Sequence, residues 1–203
     1  MQSLKIALET SSSKSIRRLS GLPAIAMLFC ASHAFAAAPA VVVDAQQTLG
    51  SGFNDPQGIA VAPNGTVYVA DRENHRIQVF DGNGRYETQW NNLHRPCGLF
   101  MHGTRNATFF VGELGPFLDI NRRYANIGPR VSILDHKGKL LGRLGAPHAG
   151  VQDGTFIAPH TLALDSHGDL YVGEVSYASW AAVFPQVPKP SRIRSLQKFV
   201  KVR

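Results

Sequence analysis

The fold is decided by the stretch Phe53-Asn-Asp-Pro-Gln-Gly-Ile-Ala-Val-Ala-Pro-Asn-Gly-Thr-Val-Tyr-Val-Ala-Asp-Arg-Glu-Asn-His-Arg-Ile-Gln-Val-Phe80. Apolar and polar residues alternate in it with a period of two, which is typical of β-strands. Asn64-Gly65 separates the first two strand-like runs, and Asn83-Gly84 follows the third. Tight hairpin turns favour Asn-Gly because both residues tolerate a positive φ. The stretch therefore predicts consecutive antiparallel strands joined by short turns.

The same pattern occurs twice more along the chain. Each copy has a proline at the start of its first strand, and an acidic residue closes the second strand 15 to 17 residues later. The prolines are Pro56, Pro96 and Pro159, and the acidic residues are Asp71, Glu113 and Glu174. A fourth strand-like run follows in the first two copies, at 86–90 and 140–144. Lys137-Gly138 precedes this run in the second copy, and His167-Gly168 separates the first two runs of the third copy, so turns are predicted there as well. The repeats predict an all-β fold of four-stranded antiparallel sheets, one in each of the ranges 53–90, 95–145 and 156–203.

The third copy ends without a fourth strand-like run. Residues 41–49 are strand-like and precede the first copy, so we predict that this strand completes the last sheet. Two copies also have long links between their second and third strands, at 114–129 and 176–191. Such links can line or cover a binding site, and the alternative is a packed excursion without a functional role.

Residues 1–36 are predicted to be a secretory signal peptide. Basic residues at positions 14, 17 and 18 precede an apolar run from 22 to 30, and Ala34-Phe35-Ala36 has the form expected before cleavage. The apolar run is too short to cross about 30 Å of hydrocarbon. We therefore expect a secreted or periplasmic protein of residues 37–203, with no stable membrane span after cleavage.

The composition narrows the class of partner. The chain has 203 residues, of which 44% are hydrophobic and 17% are charged, which excludes a disordered chain. The formal net charge of the whole chain is +7. Residues 1–36 contain four basic side chains and one acidic side chain, so cleavage after position 36 would leave a net charge of +4. No basic helix or aromatic-interleaved basic patch accompanies this excess, so we expect no nucleic-acid partner. Cys97 would be the remaining thiol, which leaves no intrachain disulfide.

The run Val69-Ala-Asp-Arg-Glu-Asn-His-Arg-Ile-Gln-Val-Phe80 resembles NHL repeats, which build β-propellers. It is also similar to the corresponding blade of peptidyl-α-hydroxyglycine α-amidating lyases and of bacterial secreted proteins like them. The resemblance covers residues 53–203 and implies part of a six-bladed propeller, with about three blades, or half of the ring, present. It further implies that the three recurring acidic residues have structural roles, bonding backbone groups or a neighbouring arginine.

In the lyase family, three histidines from Pro-His motifs hold a zinc ion on the propeller axis. The resemblance implies one such ligand here, because Pro159-His160 matches the last motif. The preceding motif reads Pro56-Gln57, so that ligand is missing, and glutamine is a poor donor to zinc. Zinc is therefore a candidate cofactor through His160, with a pairing of His160 and Cys97 as a further possibility.

Arg72 is the candidate catalytic residue, because it matches a family arginine assigned to the active site. The alternative for Arg72 is a surface ion pair with Glu73 or Asp71.

Four further residues are predicted to face the axis and a ligand: Gln57, Cys97, His160 and Arg95. For Cys97 the alternative is a small buried apolar residue. For His160 it is a pore-lining histidine without metal.

Three blades are not expected to close a ring, because propellers begin at about four blades. The chain is then either a shortened relative of the family or half of a composite six-bladed homodimer. The first function hypothesis is a secreted binding module for a peptide, protein or small-molecule ligand. The alternative is a zinc-dependent lyase, which cleaves a peptidyl-α-hydroxyglycine into an amide and glyoxylate. A gluconolactonase-like hydrolase is a third hypothesis, although the sequence shows no matching metal cluster.

Overall fold

The structure is a computed structural model that describes residues 50–117, 119–123 and 127–202. The predicted signal peptide at 1–36 and the predicted strand at 41–49 lie outside the described residues.

Eleven strands and one α-helix make up the described part of the chain. The strands are β1 Pro56–Val61, β2 Val67–Asp71, β3 Arg76–Phe80, β4 Tyr86–Trp90, β5 Pro96–His102, β6 Thr108–Glu113, β7 Arg130–Leu134, β8 Leu140–Leu144, β9 Pro159–Leu164, β10 Leu170–Glu174 and β11 Leu196–Phe199. The helix α1 spans Ser176–Val183, and short 3₁₀ helices span Arg72–Asn74 and Asp119–Arg123. In these residues no helix has the length and apolar character needed to cross a membrane.

The strands form three antiparallel sheets, which we call blades one, two and three. Blade one has the order β1-β2-β3-β4, blade two β5-β6-β7-β8 and blade three β9-β10-β11. The first strands of adjacent blades lie side by side, β1 against β5 and β5 against β9. This repeated up-and-down arrangement confirms the predicted all-β, propeller-type fold with about three blades.

Four of the predicted turns share one backbone conformation, in which a glycine has a positive φ. Gly65, Gly84, Gly138 and Gly168 have φ values of 88°, 81°, 78° and 84°. Each glycine N–H donates to the carbonyl three residues earlier, at 2.8–3.0 Å. The hairpin turns predicted at these glycines are confirmed.

The three recurring acidic residues anchor the start of each blade. The Asp71 carboxylate accepts from the Asn54 N–H at 2.7 Å, and the Glu113 carboxylate accepts from the His94 N–H at 2.6 Å. Glu174 accepts from the Ile157 N–H at 2.6 Å. Side chains of the third strands complete these contacts, namely Arg76 and Gln78 to Asp71, Arg130 and Ser132 to Glu113, and Gln197 to Glu174. The predicted structural role of these residues is confirmed.

Aromatic side chains fill the space between blades one and two. The ring of Tyr68 lies 4.6 Å from that of Phe109 and 5.2 Å from that of Trp90, centroid to centroid. A second apolar cluster joins blades two and three and is built around Val131, Phe156 and Val172, all of which are buried. Burial of these faces holds neighbouring blades together, at roughly 25 cal/mol for each Å² of apolar surface.

Glycines allow the first strands to approach each other closely. A Cβ at Gly58 would lie 2.2 Å from the carbonyl oxygen of Cys97, and a Cβ at Gly98 would lie 2.2 Å from that of His160. Backbone therefore packs on backbone from blade one to blade three. The corresponding residue of β9, two after its proline, is Thr161.

Candidate functional site

The candidate site lies on one edge of the blades, which we call the upper edge. It is formed by the starts of β1, β5 and β9 and by the ends of β2, β6 and β10, since these ends pair in the antiparallel sheets. The links between second and third strands leave from this edge, so the links 114–129 and 175–195 both begin and end there. The four glycine turns lie at the opposite edge.

The structure places three of the predicted site residues at equivalent positions on the upper edge. Gln57, Cys97 and His160 each directly follow the proline that begins a first strand. In each blade the pairing with the second strand is interrupted at this residue by a bulge. A bulge redirects a side chain away from the regular sheet alternation. One repeated irregularity therefore sets the position of all three.

These three residues have different environments. Gln57 is exposed and donates to the Asp55 carboxylate, whereas the Cys97 side chain is 1% exposed. Burial raises the pKa of Cys97 to about 11, although nearby Arg72 acts in the opposite direction. Burial lowers the pKa of half-buried His160, and the positive charge of Arg72 lowers it further. Both side chains are therefore uncharged at neutral pH.

Arg72 extends from the end of β2 and makes two ion pairs. Its Nε donates to Glu73 Oε1 at 2.8 Å, and its Nη2 donates to the Asp55 carboxylate. The predicted pairing with Glu73 is thus present, whereas Asp71 pairs with Arg76 instead. The Arg72 side chain is 18% exposed and that of Asp55 is 41% exposed, so solvent reaches this pair.

Arg95 lies deeper and joins blades one and two. It is 4% exposed, and its Nη2 donates to Glu73 Oε1 at 2.7 Å. Its Nη1 donates to the Gly115 carbonyl at 2.9 Å, and its guanidinium carbon lies 4.8 Å from the centroid of the Phe117 ring. Burial raises the pKa of Glu73, but the bonds and charges of Arg95 and Arg72 outweigh it and lower the pKa overall. Arg95 thus holds Gly115 and Phe117, at the start of the link, against blade one.

Two histidines beneath this network were not singled out by the sequence. The rings of His75 and His94 lie 5.0 Å apart, centroid to centroid. Nδ1 of His75 accepts from the Arg95 N–H at 3.3 Å. Burial and the charge of His94 lower the pKa of His75 to about 4, so the ring is neutral. A sequence signal was present, because His75 follows the second strand of the first repeat and His94 directly precedes Arg95.

The described residues do not fit the three-histidine zinc site of the lyase family. In these residues no three His, Cys, Asp or Glu side chains come together in an arrangement that could hold a metal ion. His160 has Gln57 and Cys97 at the equivalent positions of the other two blades.

The link of blade three adds a further surface to the upper edge. Trp180 of α1 is buried against Phe184, with ring centroids 4.7 Å apart, and its Nε1 donates to the Val187 carbonyl at 3.0 Å. Tyr177 is 56% exposed, and Lys189 Nζ lies 3.8 Å from the centroid of its ring. The link is therefore a packed element that presents an aromatic and a cationic side chain to solvent.

Comparison with known proteins identifies an NHL repeat at residues 53–80, the first three strands of blade one. The chain is 35% identical over 107 residues to the B-box type zinc finger protein ncl-1 of Caenorhabditis elegans. This match covers 44% of this chain and 13% of that protein. The mouse NHL repeat-containing protein 3 is 28% identical over 115 residues, covering 54% of this chain and 31% of that protein. The chain thus spans less than a third of the length of either relative.

Among solved structures, the chain is similar to a catalytically inactive virginiamycin B lyase from Staphylococcus aureus with quinupristin. The TM-score is 0.44 at 15% identity, with 64% of this chain and 38% of that chain covered.

Proposed function

We propose that the chain is a binding module that takes a peptide or protein segment on its upper edge. The observation that carries this proposal is the unequal distribution of the links. The opposite edge has tight glycine turns, whereas the links 114–129 and 175–195 and the segment that contains Arg72 all lie at the upper edge. Loops carried on a rigid scaffold are where binding surfaces are commonly built.

Arg72 is the residue that we expect to contact an acidic group of the ligand. Its partner Asp55 is 41% exposed, so the pair is held in a high-dielectric environment and contributes little stability. A ligand carboxylate can replace Asp55 at small cost. A guanidinium offers a planar pair of donors that matches a carboxylate.

The experiment measures binding of the full chain to an acidic peptide library by fluorescence anisotropy. Arg72→Ala is expected to weaken the best binders at least about ten-fold, because a hydrogen bond to a charged group contributes about 1.5–3 kcal/mol. The matched control is Arg85→Ala, at a turn on the opposite edge, where the Arg85 side chain is 81% exposed. Equal losses in both variants, or no loss in either, would count against the proposal.

Lyase activity is the second candidate, and its support is the resemblance of the run 69–80 and of Pro159-His160 to the lyase family. The two side chains that this resemblance implicates both lie at the upper edge, Arg72 after β2 and His160 in the bulge of β9. The test is glyoxylate release from a peptidyl-α-hydroxyglycine, with and without added zinc, by the wild type and by His160→Ala. Absence of release above the His160→Ala background under both conditions would exclude this candidate.

We also propose that the protein acts outside the cytoplasm, in a secreted or periplasmic location. The support is the pattern of residues 1–36, with its basic, apolar and small-residue regions in the order of a signal peptide. N-terminal sequencing of the purified native protein is expected to start at Ala37. A start at Met1 would overturn the proposal.

A further inference from the structure

A cleft of about 290 Å³ opens on the upper edge between blades two and three. Its described lining residues come from three places in the sequence: positions 115–116, 122 and 127–129 in the link of blade two, the segment between β8 and β9, and the end of α1. The first and last of these belong to the two long links. The cleft is therefore formed mainly by the insertions between the second and third strands of blades two and three.

One part of the cleft wall is apolar. Pro116 and Pro129 come from the link of blade two, and Val183 and Phe184 come from α1 and its end. Ile157, which is 1% exposed, contributes from the segment before β9. Phe184 and Val183 pack against a buried cluster that includes Trp180. The apolar wall is thus supported from behind, and an apolar group entering it would exchange water for packed side chains.

The polar residues of the cleft favour a negative charge. Arg122 and His148 line it, and none of the described residues that line it is acidic. Arg122 is paired at 3.3 Å with Asp119, whose side chain is 99% exposed. A pair held in water contributes at most about 1 kcal/mol, so a carboxylate in the cleft can replace Asp119 readily.

We propose that this cleft binds an apolar group that carries a carboxylate, with Arg122 as the partner of the carboxylate. Two sources share this chemistry, namely the C-terminal residue of a peptide and a medium-chain fatty acid. This proposal rests on the proposed binding function, and it adds a class of ligand that binds at a second position on the upper edge. It does not depend on Arg72, which follows the second strand of blade one and does not line the cleft.

The test is an NMR titration of the ¹⁵N-labelled chain with three probes: N-acetyl-leucyl-phenylalanine, its C-terminal amide, and octanoate. The free acid is expected to bind at least ten-fold more tightly than the amide, with shifts at the amides of Ala149 and Val183. Arg122→Gln is expected to remove this preference, so that acid and amide bind alike. The matched control is Arg123→Gln, a neighbouring exposed arginine that does not line the cleft.

The outcomes of this titration test both the cleft and the source of its ligand. Equal binding of acid and amide to the wild type, or equal effects of Arg122→Gln and Arg123→Gln, would overturn the proposal. Binding of the dipeptide without octanoate identifies a peptide terminus as the source, and the reverse identifies an acyl chain. Arg72→Ala is expected to leave dipeptide binding unchanged. If acidic peptides bind through Arg72 but the dipeptide does not bind, then only the cleft proposal fails.

Discussion

Gly98 of blade two lies so close to His160 of blade three that a Cβ at Gly98 would come within 2.2 Å of the His160 carbonyl oxygen. Both partners in this contact are backbone, so neither can move aside without shifting a strand. The contact also fixes where His160 lies relative to the bulge of the neighbouring blade, and thereby connects packing between blades to the candidate site.

The first prediction concerns this contact. Gly98→Ala is expected to lower the free energy of unfolding by at least about 2 kcal/mol, because overpacking displaces backbone. Urea unfolding followed by circular dichroism measures the change. The control is Gly142→Ala in β8, where an added Cβ meets nothing within 4 Å. Equal stability of the two variants would show that the blades are not packed as closely as described.

The second prediction concerns the anchor of blade two. Glu113 is fully buried and accepts from the His94 N–H and from Arg130. Glu113→Gln is expected to cost about 3 kcal/mol of stability, because it leaves the Arg130 charge without its partner. Thermal and urea unfolding would measure this loss. Glu87→Gln, at an exposed position of β4, serves as the comparison and is expected to change stability by less than about 0.5 kcal/mol.

The third prediction is a loss of stability on acidification. Burial, together with the charge of His94, lowers the pKa of His75 to about 4 in the folded protein, while an unfolded histidine has a pKa of about 6.5. Between these values the unfolded chain binds more protons, so the free energy of unfolding falls as the pH falls from about 6.5 to about 4. The lowered pKa of His94 acts in the same direction.

Urea unfolding at pH 7 and at pH 4.5 tests this behaviour. His75→Asn is expected to reduce the difference between the two pH values, since asparagine does not titrate and tolerates the left-handed backbone at φ 56°. His148→Asn, at an exposed position, is expected to leave the difference unchanged. A larger difference in the His75→Asn variant would contradict the assignment.

The fourth prediction concerns the thiol of Cys97. Burial raises its pKa from 9.0 to about 11, so the thiolate fraction at pH 8 is about 100-fold lower than that of an unperturbed thiol. In a Cys30→Ser variant, Cys97 is expected to react slowly with a disulfide reagent in the folded state and rapidly in urea. Similar rates in both states would show that the residue is open to solvent.

The sequence predicted the features that repeat and missed those that occur once. The glycine turns and the anchoring role of Asp71 recur in each blade, so their spacing could be read directly from the chain. The contact between Arg95 and Glu73 joins residues of different blades. No periodicity indicates such a contact, because it depends on how one sheet is placed on the next. The helix α1 was not predicted either, because its sequence occurs once and has no counterpart in the other repeats.

Among the site residues, their position was easier to predict than their chemistry. The residue after each proline could be aligned from the repeats, and the structure places Gln57, Cys97 and His160 in equivalent bulges. Their different degrees of burial come from the links that cover them. Cys97 packs in a cluster with Trp180 of α1, a contact that the pattern of alternating residues does not contain.

The three blades lie side by side as a stack, and the glycines between them make the two ends of this stack different. The first strands of blades one and two each supply a glycine that lies against a carbonyl of the next first strand. At the corresponding position β9 has Thr161, which carries a Cβ. A blade added to β9 by the same geometry would meet the obstacle that excludes alanine at Gly98. The two ends of the described blades are therefore unequal, because the close backbone contact made at Gly58 and at Gly98 cannot be repeated in the same form at Thr161.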